Sequence, residues 1–414
     1  MNARATTPLP LDADASAPFD ASVPVLLLGG GGNAVAAARN LSRRGIRVTM
    51  AGHADAWGMS SRYCAERLGA PPGADLAAFW EERLLGSDRR HDGSVVFALC
   101  DDSIAFLCRH HAALSARYRL EDCDPRLRSA MLDKMETLRI ARAAGVATPD
   151  FWTVRTADDL AALEGRLTFP VMVKPIHSHL FIPVFGRKLF IIEDGFDKVR
   201  EAVGRAHDHG LEVMVVEMIP GPDDLLSSYY TYTTPAGLPL FHYTKSIIRR
   251  YPVNRGGGCY HLSQWLPETA AEGRRFFGGM PWRGIGNIEF KRDVRDGRLK
   301  VIEVNPRFTA AHRLLTAAGL PLDLMIYCHL TGQAVPRPGR LRENVRMWNP
   351  PRDFLAYREM SGRGTLGLGG WLKSVARGPK VMPLFEWRDP GPSIRRLVDE
   401  GGRALRGRRG RGGL

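Results

Sequence analysis

Between Gly284 and Arg307 the sequence holds two runs of alternating character joined by a tight-turn pair. Gly284-Ile285-Gly286-Asn287-Ile288-Glu289-Phe290-Lys291 leads to Asp296-Gly297, and Leu299-Lys300-Val301-Ile302-Glu303-Val304-Asn305-Pro306-Arg307 follows. Asp-Gly between alternating runs is a strong hairpin signal. Period-2 alternation puts Asn287, Glu289 and Lys291 on one face of the first strand, and Ile288 and Phe290 on the other. In the second strand Val301, Glu303 and Asn305 are expected to share a face opposite Ile302 and Val304. Glu289 and Glu303 each lie seven residues from Asp296, so the hairpin brings them within about one residue of being opposite. Two carboxylates so placed repel unless a cation sits between them. Glu289, Glu303 and the Asn305 amide oxygen are hard donors, a metal set that suits magnesium and not zinc.

Magnesium held by three side chains normally completes its shell with phosphate oxygens, so the chain should also supply phosphate-binding cations. Lys174 ends the apolar strand Phe169-Pro170-Val171-Met172-Val173-Lys174-Pro175, where an internal strand delivers one ammonium at its edge. Lys134 stands in the first turns of a helical stretch from Arg128 to Ala144, with Leu132, Met135 and Leu138 along one face and Gly145 as the stop. A base needs a slot as well. The run Val213 to Met218 is a buried strand that leaves its sheet at Pro220-Gly221, where freed backbone groups can pair with an adenine edge between Met218 and Ile219.

The rest of the chain supplies the frame. Val23 to Leu28, the turn Gly29-Gly30-Gly31-Gly32-Asn33, the Ala-rich helix Ala34 to Arg44 and the strand Ile46 to Met50 form a βαβ opening. With a strand at Ser94 to Leu99 and a helix from Ile104 to Leu114, this predicts an open parallel α/β domain up to about residue 125. An antiparallel α+β unit should follow, with strands at Val154, Phe169 to Lys174, Leu189 to Glu193 and Val213 to Met218. A third unit runs from Tyr229 to Leu330, and the Pro- and aromatic-rich remainder reads as irregular.

In this order, Lys134, Val173-Lys174-Pro175, Glu217-Met218-Ile219-Pro220-Gly221, Asn287-Ile288-Glu289-Phe290 and Glu303-Val304-Asn305-Pro306-Arg307 resemble the ATP-grasp ligases. The resemblance implies an α/β chain: an ATP-grasp fold of two α+β subdomains preceded by a Rossmann-like pre-ATP-grasp domain. The resemblance spans about Leu120 to Leu330 and implies subdomains at 128–221 and 222–335 after a Rossmann-like domain at 23–127; composition and charge add an expected disordered stretch 1–22, a C-terminal extension at 336–402 and a disordered basic tail at 403–414. Lys134 and Lys174 would hold the ATP phosphates. Glu217, Met218 and Ile219 would hold the adenine. Glu289, Glu303 and Asn305 would hold magnesium, or manganese in its place, and Arg307 would face the reacting carboxylate or acyl phosphate.

More narrowly, Arg249-Arg250-Tyr251-Pro252, Arg255-Gly256-Gly257 and Leu384-Phe385-Glu386-Trp387-Arg388-Asp389-Pro390 are similar to predicted carboxylate-amine ligases related to D-aspartate ligase. That similarity implies ATP-dependent amide formation through an acyl phosphate on small carboxylate and amine substrates, of an amino-acid or peptide-like kind. Arg249 and Arg250 would anchor an anionic substrate group. The lid departs from the family's Gly- or Ser-rich form: Ile176 to Lys188 carries His177, His179, Phe181, Pro183 and Phe185, and Gly186 is its one glycine. Three other readings stay open. One is a small-molecule kinase on the same fold. A dinucleotide oxidoreductase would use Gly29-x-Gly31-x-x-Ala34, although its second strand ends Met50-Ala51-Gly52-His53 without the expected acid. The third is a nonenzymatic basic adaptor.

Charge bears on the partners. The net +14 is concentrated late, with 18 Lys and Arg against 7 Asp and Glu from Val335 onward, and Arg403 to Leu414 carries five Arg and no acid. That argues against specific nucleic-acid binding by the body and leaves the tail a weak contact with an anionic membrane or polyanion. The six cysteines form no CxxC pair, and residues 1–24 show no basic stretch leading into an apolar core; reduced thiols in a cytoplasmic protein are expected.

Overall fold

A computed structural model describes the chain at residues 19–176, 181, 184–187 and 189–409, with the backbone alone from 401 onward. Three sheets carry the architecture. The first contains β1 (Val25–Leu28), β2 (Val48–His53), β3 (Glu66–Ala70) and β4 (Val95–Ala98), all parallel, in the order β3-β2-β1-β4. All four residues of β1 are buried, because helices cover both faces of a parallel sheet. Gly29, at φ +123°, turns the chain from β1 into the helix Gly32–Ser42. A Cβ on Gly30 would lie 2.4 Å from that of Ala56, and Asn33 donates to the carbonyls of Leu99 and Phe308 at 2.7 and 2.9 Å. The glycines thus serve close packing, and the turn is occupied by the chain's own groups.

The second sheet, order β5-β8-β6-β7, is antiparallel: β5 (Phe151–Val154), β6 (Val171–Pro175), β7 (Phe190–Ile192) and β8 (Val213–Glu217). The helix Phe196–His207 buries Val199, Ala202, Val203 and Ala206 against one face. From the lid, buried Phe181 packs on Phe185 and Phe190 with ring centroids 4.6 and 5.1 Å away, so its aromatics build this subdomain's core. His177, His179, Pro183 and Lys188 lie outside the described residues.

The third sheet has seven strands in the order β13-β12-β9-β10-β11-β14-β15. They are β9 (Leu226–Thr233), β10 (Pro239–Tyr251), β11 (Gly257–Ser263), β12 (Gly284–Arg292), β13 (Leu299–Asn305), β14 (Arg346–Trp348) and β15 (Lys380–Val381). The hairpin β12–β13 forms as predicted, with Glu289 directly opposite Glu303 and Asn287 opposite Asn305. The strict alternation expected of its second strand does not hold. Phe290 pairs with Val301, so Ile302 is an extra residue, a bulge beside Glu303. Val301 therefore turns to the core with Ile288, Phe290 and Val304 instead of sharing a face with Glu303.

The helix Lys134–Ala143 packs on β13, and its Met135 and Leu138 join a core holding residues of the second and third sheets, Met214 and Val216 from β8 among them. This helix wedges the two sheets together and carries Lys134 to the cleft between them.

Residues beyond 335 are more regular than predicted. Helices span Pro350–Gly362 and Leu368–Ala376, and β14 and β15 lengthen the third sheet. Pro350 and Pro351 open the first of these helices without cost, because proline in a helix's first turn removes only N–H groups that have no intrahelical partner anyway. A last helix, Gly391–Arg409, replaces the expected disorder through residue 409, consistent with the helix-forming Arg, Ala and Leu it contains; 410–414 lie outside the described residues. Of the expected disordered start, 1–18 also lie outside them, whereas Asp20 is tied down by Gln333, its N–H donating to Oε1 at 2.9 Å. The Leu384 to Pro390 segment folds back onto the first domain. Buried Asp389 accepts from Arg39 Nε (2.9 Å), Ser61 Oγ (2.7 Å) and the Arg62 N–H (2.9 Å).

Candidate functional site

The site is a row across four strands of the third sheet. Glu303 on β13 pairs with Glu289 on β12, Glu289 with Ser228 on β9, and Ser228 with Lys245 on β10. Residues directly opposite in antiparallel strands point to the same side, so the row presents two carboxylates, a hydroxyl and an ammonium on one face. Lys245 is buried, and its Nζ donates to Ser228 Oγ at 2.8 Å. Burial pushes its pKa down, against the pull of Glu289. Two residues along, Asn305 faces Asn287, whose Oδ1 accepts from Asn305 Nδ2 at 3.5 Å; the lone pairs of Asn305 remain on its own Oδ1.

Glu303 lines a cavity of about 40 Å³ with Lys134, Asn305, Asp101 and Thr137. Its carboxylate reaches solvent at the mouth of the cleft, but protein surrounds it closely. Burial and then Glu289 raise its pKa, while Lys134 and Arg307 pull it down. The upward direction wins, so the cations present do not compensate the pair. A hard divalent cation would, and the donors fit one: two carboxylates and an amide oxygen on adjacent strands. Among the described residues no group of three or more His, Cys, Asp and Glu offers an alternative metal site.

Lys174 approaches from the second sheet. Burial first, and then the charge of Lys134, bring its pKa down to about 8, with Glu303 opposing and Arg250 adding to the fall. Four residues distant in sequence, Lys134, Lys174, Arg250 and Glu303, therefore share one electrostatic neighbourhood. Arg307 flanks the row: its Nε donates to Asp101 Oδ1 at 2.6 Å, joining the third sheet to the first domain. Beside it, buried Tyr230 donates to or accepts from Thr309 Oγ1 at 2.9 Å, and burial and then Glu289 push its phenol far up.

Two expected ligand contacts are occupied otherwise. Arg249 is clamped by Asp353, with Nε and Nη2 donating to the two carboxylate oxygens at 2.7 and 3.0 Å and Nη1 donating to Ser374 Oγ. It is an internal anchor, not a substrate-facing group. Arg250 follows it in the strand and faces the other way, toward Asp223, Lys291 and Lys174. Glu217 is likewise engaged: Asp150 N–H donates to its Oε2 at 3.0 Å, and Arg295 and Lys300 pair with it. It borders a separate open groove of about 440 Å³ with Arg142, Thr148, Asp150 and Lys300. In the hinge after it, the Met218 N–H donates to the Pro170 carbonyl (2.9 Å), and the Ile219 carbonyl accepts from Lys291 Nζ (3.0 Å).

The sequence reading missed Lys245 and Lys291. Lys245 lies in no local motif and gains its place through strand register, whereas Lys291 ends the first run of the hairpin and was given no role. The alternating face shared by Asn287, Glu289 and Lys291 was the one signal that could have drawn attention to Lys291.

The backbone likeness settles the fold. A biotin carboxylase domain of a 2-oxoglutarate carboxylase from Hydrogenobacter thermophilus, solved with magnesium ADP and bicarbonate, matches with a TM-score of 0.60 at 14% identity, covering 78% of this chain and 73% of that one. The chain has the ATP-grasp fold. Among curated proteins, a Streptomyces coelicolor protein named as a D-alanine–D-lactate ligase is 50% identical over 225 residues, which is 49% of this chain and 61% of that protein. A D-aspartate ligase of Enterococcus faecium is 24% identical over 276 residues, 61% of this chain and 63% of the relative. The chain thus spans somewhat under two thirds of the curated relatives it matches. No family model matches it.

Proposed function

We propose that this ATP-grasp chain is an ATP-dependent carboxylate-amine ligase working through an acyl phosphate. The observation that carries the reading is the row Glu303–Glu289–Ser228–Lys245 facing a cleft that Lys134, Lys174 and Arg250 line with positive charge. Glu289, Glu303 and Asn305 would hold magnesium, or manganese, which when bound neutralises charge on the transferring phosphoryl group. Lys134 and Lys174 hold the ATP phosphates, and Met218 and Ile219 border the adenine. Glu217, the residue before this hinge, is held by Asp150, Arg295 and Lys300. The substrate carboxylate attacks the γ-phosphorus and ADP leaves. The amine then attacks the acyl carbon, phosphate leaves with the bonding pair, and the amine gives up a proton. Arg307 orients and stabilises the acyl phosphate, its planar fork matching an oxyanion pair. Lys245, held by Ser228, stands at the far end of the row for the same anion.

The relatives' names join D-alanine to D-lactate and act on D-aspartate. D-amino acids are therefore the first acceptors to test, with D-hydroxy acids beside them, whose hydroxyl attacking the acyl carbon would give an ester in place of the amide. With Mg-ATP and a carboxylate but no acceptor, hydroxylamine should trap a hydroxamate whose yield depends on the acid. A stable phosphoester product without hydroxamate would make the protein a kinase and overturn the ligase reading.

Lys174 gives a second check. With its pKa at about 8, below the ordinary 10.5, the folded protein holds fewer protons than the unfolded chain between those values, so this group's contribution to stability rises with pH across that window. Bound phosphates draw the pKa back up. ATP binding near pH 8 to 9 should take up a proton, seen as a dependence of calorimetric heat on buffer ionisation enthalpy, and affinity should fall as pH climbs past about 8. Lys174→Met should remove the uptake; uptake unchanged in that variant would place the titrating group elsewhere.

A further inference from the structure

The helix Gly391–Arg409 sits on the protein the wrong way round for a surface helix. Its polar side makes the contacts: the Arg396 guanidinium lies 5.1 Å from the centre of the Trp57 ring, and Trp57 Nε1 donates to Asp399 at 3.2 Å. Its apolar side faces water, with Ile394, Leu397 and Val398 57%, 64% and 65% exposed. Those positions follow the i, i+3, i+4 spacing of one helical stripe, which the sequence continues at Leu405. Trp387, shortly before the helix, is 85% exposed.

Charge then distinguishes the occupants of this stripe. Asp399 and Glu400 are matched by Arg395 and Arg396 at 3.5 and 2.8 Å, whereas Arg403, Arg406, Arg408, Arg409 and Arg411 follow with no acid among them. A second copy would bring like charge to like charge, or set the Arg-rich half against a half already neutralised. A nucleic acid would use the arginines and leave the apolar stripe and Trp387 in water. An anionic lipid surface takes both, since phosphate head groups meet arginine while aliphatic and indole groups enter the interface. No helix among the described residues is long and apolar enough to cross a membrane, so such an element would lie in the membrane plane.

We propose that the helix Gly391–Arg409, with Trp387, docks this protein on anionic lipid bilayers. The proposal is independent of the ligase reading. It is tested with the full chain and vesicles of phosphatidylcholine alone or with phosphatidylglycerol at a third of the lipid. The chain should co-float with the phosphatidylglycerol vesicles only, release at high salt, and show a blue-shifted tryptophan emission that Trp387→Ala diminishes. Arg406→Gln with Arg409→Gln should weaken binding roughly 25-fold, taking about a fivefold loss per arginine near the surface. Leu397→Glu with Val398→Glu should abolish binding while leaving thermal stability and ATP turnover unchanged, because both side chains point into solvent. Three results would overturn the proposal: no dependence on phosphatidylglycerol, a dimer in solution that Leu397→Glu with Val398→Glu dissolves, or binding to DNA in preference to vesicles that survives that substitution.

Discussion

Replacing Glu303 by Gln should cost about 10³-fold in ATP turnover, on the scale of the several kcal/mol that a metal ion contributes to charge stabilisation at a phosphoryl group. The same change should leave the fold intact. Glu303 faces Glu289 directly across the hairpin, and burial, then Glu289, raise the Glu303 pKa even with Lys134 and Arg307 nearby. A carboxyl whose pKa is raised on folding carries a deficit, because the folded state loses stability as pH climbs through its titration. Gln at this position removes the deficit. The ligand-free variant should therefore melt at or above the wild-type temperature, while the extra stabilisation that Mg-ATP gives over ATP alone disappears. Differential scanning calorimetry with parallel ADP-release assays separates the two effects. Wild-type-like turnover, or a variant that fails to fold, would remove the basis for a metal between these carboxylates.

The second large effect is a loss of stability at a position the sequence had offered as a substrate contact. Arg249→Ala should destabilise the protein by about 3–5 kcal/mol, because it leaves a buried carboxylate without its counter-charge. Asp353 is fully buried and would keep the Trp348 and Trp371 indole N–H groups, each donating at 3.0 Å, and a weak Cys259 thiol contact at 3.9 Å, none of which carries charge. The denaturant midpoint should fall steeply, and whatever fraction stays folded should retain its KM for the carboxylate substrate. A fully stable Arg249→Ala with a raised KM would instead return Arg249 to the substrate site. Arg250→Ala should behave differently. It should weaken ATP binding more than stability, since Arg250 lies in the Lys174 and Lys291 neighbourhood and pairs with Asp223 near the end of β10.

What the sequence showed of this molecule was whatever short-range periodicity encodes. The hairpin register was legible because turn chemistry and alternation act over a few residues, and the parallel first sheet was legible because β1 is apolar throughout. Lys245 was not, since its position beside the carboxylates depends on two further strand pairings, β12 with β9 and β9 with β10. Nor was the engagement of Glu217 by Arg295 and Lys300, which joins residues about 80 apart through the packing of two sheets. Arg249 and Arg250 could have been separated beforehand: neighbours in a strand point to opposite sides, so a pair of adjacent arginines seldom serves one ligand. The bulge at Ile302 left no mark in the residues themselves, although it re-aims the chain next to Glu303 and moves Val301 into the core.

The Asp389 contacts bear on how this chain can be cut and recombined. Arg39 belongs to the first helix of the first domain, yet its counter-ion arrives 350 residues later and also holds Ser61 and the Arg62 amide. A fragment ending near residue 127 would keep a complete parallel sheet but would expose Arg39 and the ledge around Ser61 with nothing to cover them. The first domain is therefore no transplantable module. A chimera that exchanges it between relatives has to carry the Leu384–Pro390 segment along with it, so that two stretches 350 residues apart behave as one unit of inheritance.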